Sequence, residues 1–107
     1  QATDAREYTQ MLANLLRAMH NQSELDGYAR IPIDKNIKYN NMKLKLMASY
    51  SGGAIDGLVY QFENSSNEVK TLKEIDFYAL GVRGVALVDK ILYSGDVTQV
   101  YIMRDKA

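Results

Sequence analysis

The hydrophobic period changes once along this chain, and that change decides what it can fold into. Up to His20 the apolar residues fall at Tyr8, Met11, Leu12, Leu15, Leu16 and Met19. Gaps of three and four put one stripe on a helix. Arg6, Gln10, Arg17 and Asn21 take the opposite face. Asp4 followed by Glu7 resembles a capping box with Asp as the acceptor. The helix should fade between His20 and Glu24, and Gly27 supplies a turn.

From Tyr28 onward the period is two. Met42, Leu44, Leu46, Ala48 and Tyr50 alternate with Lys43, Lys45 and Ser49, which predicts one half-buried strand with those five residues on one face. Ser51-Gly52-Gly53 breaks it. Leu58, Tyr60 and Phe62 share a face of the next strand, and Asn64 to Asn67 reads as a turn. A third strand is expected over Val69 to Phe77. A fourth runs over Val82 to Leu92, its run Val85 to Val88 suggesting burial on both faces. Val97 to Met103 is the last. Tyr28 to Ile37 reads as an edge strand, since Pro32 cannot donate to a ladder on both sides. The expected fold is mainly β: a small antiparallel β-sandwich of five or six strands preceded by one amphipathic N-terminal helix. Helix and linker occupy residues 1–27, and the β-sandwich domain 28–107.

Composition then narrows the chemistry. The 107 residues suit one domain. Zero cysteines exclude disulfides, thiolate nucleophiles and cysteine-ligated metals, and the single histidine, His20, excludes a histidine-rich metal site. His20 suits the negative end of the helix dipole. Thirteen basic residues balance thirteen acidic ones, so direct nucleic-acid binding is not expected. Glu74 and Asp76, two apart in the expected third strand, would share a face as solvated charges rather than an acid–base pair. Gly81 to Gly84 lacks the helix and Lys-Ser/Thr of a phosphate loop. Asn64-Ser65-Ser66 matches a glycosylation sequon that arises readily by chance in a turn. No catalytic residue, metal or cofactor is assigned, and an enzyme is not expected. Eight tyrosines against two phenylalanines and no tryptophan fit surfaces that are half buried and half in contact with a partner. Tyr50 and Tyr60 suit a sandwich core equally well. Arg83 and Arg104 flank apolar strand segments, where a surface ion pair is the commoner role.

The stretch Phe77-Tyr-Ala-Leu-Gly-Val-Arg-Gly-Val-Ala-Leu87, followed by Leu92-Tyr-Ser-Gly-Asp-Val-Thr-Gln-Val-Tyr-Ile-Met-Arg104, resembles the end of the TraK family of F-type conjugative type IV secretion systems. Tyr93-Ser-Gly95 stands where that family often has Ala-Pro-Gly. Val59 to Asn64 resembles its preceding strand, and Tyr8 to His20 with Gly27-Tyr28 resembles the stretch ahead of the domain. The likeness spans roughly residues 5–104. It implies a C-terminal domain cut from a longer secreted protein, periplasmic and associated indirectly with the outer membrane. It also implies a ring homo-oligomer assembled with a TraV-type lipoprotein and a TraB-type subunit, holding part of a channel for DNA and pilus subunits. The expectation is a structural assembly domain binding neighbours through a sheet face or by β-augmentation. Tyr60, Phe62 and Tyr101 are the candidate partner-binding residues. The alternative is a carbohydrate- or peptide-binding β-sandwich module that uses its tyrosines for stacking.

Overall fold

The computed structural model describes residues 5–39 and 42–106. Helix α1 covers Ala5–Asn21, with Glu7 in its first turn and His20 in its last; Asp4, the expected cap, lies outside the described residues. Leu15, Ala18 and Met19 are its buried positions. The helix ends at Gln22 in the left-handed region, φ 54°. Ser23 N–H donates to the Ala18 carbonyl at 3.0 Å and Gln22 N–H to that of Met19 at 3.3 Å, the paired bonds of a Schellman motif. The Tyr50 hydroxyl closes it from the sheet, 2.6 Å from the Ser23 carbonyl. A glutamine in this conformation is strained where glycine is not. Gln22→Gly is therefore expected to stabilise the chain by about 0.5–1 kcal/mol, net of the entropy glycine adds to the unfolded state. Thermal unfolding followed by circular dichroism should show Tm rising by about 2–6 °C.

Strands β1 (Ala29–Tyr39), β2 (Met42–Ser51), β3 (Ile55–Glu63), β5 (Val82–Leu87) and β7 (Val97–Asp105) form one antiparallel sheet in the order β1-β2-β3-β7-β5. Strands β4 (Lys70–Thr71) and β6 (Ile91–Leu92) form a second, two-stranded sheet. The fold is mainly β behind one helix, as the sequence predicted. Pro32 sits on β1, an edge strand, and a register shift follows it between Pro32 and Lys35.

One correction explains the architecture. The five alternating apolar residues of β2 do not share a face. Leu44 and Leu46 lie opposite Phe62 and Tyr60, but after a register shift between Leu46 and Ala48, Ala48 and Tyr50 lie opposite Val59 and Gly57. Adjacent residues of β3 point to opposite sides, so β2 changes face at Met47. The sheet thus carries two cores on opposite faces. On one, α1 covers Ala48, Tyr50, Ile55, Val59, Tyr101 and Met103. On the other, Leu44, Phe62 and Val100 pack with Leu72 and Leu92, residues from and beside the small sheet. The body is elongated, 52 × 25 × 23 Å.

Two further expectations change. The expected third strand keeps only Lys70–Thr71, and Glu74–Phe77 is a 3₁₀ turn, so Glu74 and Asp76 share no strand face. The expected fourth strand breaks into β5 and β6. Strand β5 is a sheet edge, and Val88 is exposed rather than buried on both sides.

Candidate interaction surfaces

The pleat of β3 puts Tyr60 and Phe62 on the same side. Phe62 is 1% exposed. Tyr39 and Phe77 each meet its ring in a T-shaped contact with centroids 5.4 Å apart, and Tyr39 also stacks on Phe77 at 6.5 Å. Tyr60 is half-buried beside them. Desolvation pushes its phenol pKa up, with the Arg104 guanidinium pulling the other way. With Ile37, Phe77 and Ile102 these residues line a groove of about 270 Å³, and Asp76 is its one charged lining residue.

Tyr101 lies on the opposite face. It pairs with Val59, not with Tyr60, and packs in the core beneath α1. Burial raises its phenol pKa. Its hydroxyl is 3.3 Å from His20 Nδ1 and the two rings meet edge to face. The structure therefore brings Tyr60 and Phe62 together and sets Tyr101 apart. The His20–Tyr101 contact joins residues 81 apart in sequence, and no local pattern announces it.

The exposed large hydrophobics among the described residues concentrate in one stretch. Apart from Ile31, all of them lie between Val69 and Val97. Ile75, on the 3₁₀ turn, is 72% exposed, and Leu80 is 106% exposed. Geometry accounts for Leu80. Val82 N–H donates to the Ala79 carbonyl at 3.0 Å, and Gly81 has φ 90°, which places Leu80 at the first corner of a type II turn. That turn is held firmly. Asp105 N–H donates to the Gly81 carbonyl at 2.8 Å. Arg83 makes a two-pronged ion pair with Asp105 at 2.9 and 2.8 Å. Hydrogen bonding to Arg83 lowers the Asp105 pKa and raises that of Arg83. A surface pair of this kind orients the turn more than it stabilises the fold.

On the small sheet, Leu92 faces the core opposite Lys70, and Ile91 faces solvent opposite Thr71. Val69 and Tyr93, flanking them, are exposed as well. This corner hangs on Asn64, which is 0% exposed. Its Nδ2 donates to the carbonyls of Glu68 at 2.7 Å and Leu92 at 2.9 Å. Its Oδ1 accepts from Ser66 N–H at 3.0 Å and Ser66 Oγ at 2.6 Å. Its backbone exchanges bonds with Asp96 and Gly95. The sequon nitrogen is thus a structural donor, buried and fully used.

Among the described residues no group of three or more His, Cys, Asp or Glu converges to hold a metal. No helix there is long and apolar enough to cross a membrane. What the surface offers is apolar side chains on fixed turns and open strand edges, the means of binding protein. A family model described as the TraK C-terminal domain matches residues 1–104. No curated protein matches the chain.

Proposed function

The chain belongs to the family of TraK C-terminal domains, structural components of F-type conjugative type IV secretion systems, and from that membership we propose that it binds neighbouring subunits of the outer-membrane core complex. It acts there in the periplasm without catalysis, in a ring of like copies, joined to a TraV-type lipoprotein and a TraB-type subunit. The observation that carries this reading is Leu80, wholly exposed on a turn that Gly81 and the Arg83–Asp105 pair hold rigid. An exposed leucine on a fixed corner is a preorganised anchor, and Ile75 and Tyr78 extend it. Tyr60 and Phe62 serve partner binding through their groove of about 270 Å³, room for an inserted side chain. Tyr101 contributes from the other face through the seating of α1.

Burying a leucine-sized side chain contributes about 1.5–3 kcal/mol. The double variant Ile75→Asp/Leu80→Asp is therefore expected to weaken binding to a TraV-type or TraB-type partner about 100-fold, with Tm unchanged. Pull-down and calorimetric titration against those two partners check it. Unchanged affinity for both overturns the reading.

A further inference from the structure

The sheet has two edge strands, β1 and β5, and β1 is the more heavily protected of them. Strand β1 carries Pro32, a register shift just after it, and exposed Asp34, Lys35 and Lys38. Proline, bulges and charges along an edge are the devices by which sheets discourage strand addition. Strand β5 also has a register shift, between Val82 and Gly84 at its start, but has neither proline nor free charge. It reads Val82-Arg-Gly-Val-Ala-Leu87, and its single charged side chain, Arg83, is held by Asp105. Six residues without a strand neighbour on the outer side are long enough to pair, and apolar Leu80 and Val88 stand exposed at either end.

Beside this edge a cavity of about 740 Å³ opens between the first half of α1 and the sheet. Tyr8, Met11 and Ile55 give it an apolar floor, Arg83 and Asp105 form one rim, and Glu7 lines it from the helix. Glu7 has no ion-pair partner among the described residues. A strand laid along β5 sends every second side chain to the α1 side of the sheet, where this cavity lies.

We propose that β5 is the docking edge for an extended strand of a partner polypeptide, alternating in polarity, with medium-sized apolar residues toward α1 and a lysine or arginine placed to meet Glu7. The inference rests on the reading of the chain as a subunit-binding domain and adds the edge and the chemistry of the segment. An extended backbone is what satisfies an open row of N–H and C=O groups, and Glu7 selects the sign of its charge.

The test titrates the 107-residue chain with a synthetic peptide in which valine alternates with serine behind one terminal lysine. Amide hydrogen exchange, read residue by residue by NMR, is expected to slow at least tenfold along Val82 to Leu87 and to stay unchanged along Ala29 to Tyr39. Glu7→Lys should weaken the peptide about tenfold, and a peptide with glutamate in place of lysine should restore it. Protection on β1, protection nowhere, or indifference to the charge swap each overturns the proposal. The Ile75→Asp/Leu80→Asp variant separates the two readings. It should still bind the peptide, so loss of β5 protection with an intact partner interaction refutes the edge alone.

Discussion

Asn64→Asp is expected to lower Tm by about 12–25 °C at neutral pH, although it exchanges a single heavy atom. The substitution keeps the shape and replaces one buried nitrogen by oxygen. Nδ2 is the atom that donates to the Glu68 and Leu92 carbonyls. Without it, the Leu92 carbonyl loses its donor inside the protein, the part-buried Glu68 carbonyl keeps only Ser66 Oγ at 3.2 Å, and both face a carboxylate oxygen instead. Each orphaned group costs about 1–3 kcal/mol, so about 3–5 kcal/mol is lost together. The pH dependence follows from the same atoms. Burial and two facing carbonyls disfavour the ionised form, so the introduced carboxyl has a folded-state pKa above its unfolded value near 4. A raised pKa means the variant's stability is greatest below that unfolded value and falls as pH climbs through the folded one. The deficit against wild type, measured by thermal melts, should be smaller at pH 4 than at pH 8. Ser66→Ala, which removes one donor to Asn64 Oδ1, is the milder companion at about 1 kcal/mol. An equal deficit at both pH values would mean that Nδ2 is not the atom that matters.

Asn64 also marks where sequence reading stops. Its place in a turn was legible from the polar run Asn64 to Asn67. Its role was not, because one acceptor, Leu92, lies 28 residues away. The helix was legible throughout, since a stripe at 3.6 spacing needs no partner to be recognised. So was the shared face of Leu58, Tyr60 and Phe62. Strand β2 was misread for a definite reason. Apolar residues recur at every second position from Met42 to Tyr50 and so suggest one face throughout, but the one departure, apolar Met47 among Lys43, Lys45 and Ser49, is where the register slips. The consequence reaches the candidate site. Period two ties residues within a strand, but the relative phase of β3 and β7 comes only from pairing, so Tyr101 could not be placed apart from Tyr60 beforehand. The apolar run Val85 to Val88 suggests burial on both faces, yet β5 is an edge strand and Val88 is exposed. An edge strand with an apolar sequence looks the same until its neighbours are counted, and here that resemblance conceals the docking edge.

Leu15→Ala is the second large effect, about 3 kcal/mol, with Tm about 12–24 °C lower. Leu15 is 0% exposed and sits where α1 comes nearest the sheet. A Cβ at Gly57, on β3 beneath it, would lie 3.2 Å from Leu15 Cδ1 and 2.7 Å from Met19 Sδ. Close approach over a glycine leaves little slack, so the space vacated by Leu15 does not collapse and the cavity penalty stands. Of the buried helix positions only Ala18 and Met19 then remain. Amide exchange in the first half of α1 should accelerate as well, because Tyr8, Met11 and Leu12 are only partly buried and cannot hold the helix alone. Met11→Ala, lining the open cavity, should cost only about 1 kcal/mol. A double-mutant cycle isolates the contact. Gly57→Ala alone crowds Met19, whereas in the Leu15→Ala background Met19 can shift into the vacated space and the new methyl is accommodated. The pair should therefore be less destabilising than the sum of the single variants by about 0.5–1 kcal/mol. Strict additivity would mean that the helix is not seated by this glycine, and that its position is fixed instead from its C-terminal end by Tyr50 and the Schellman bonds.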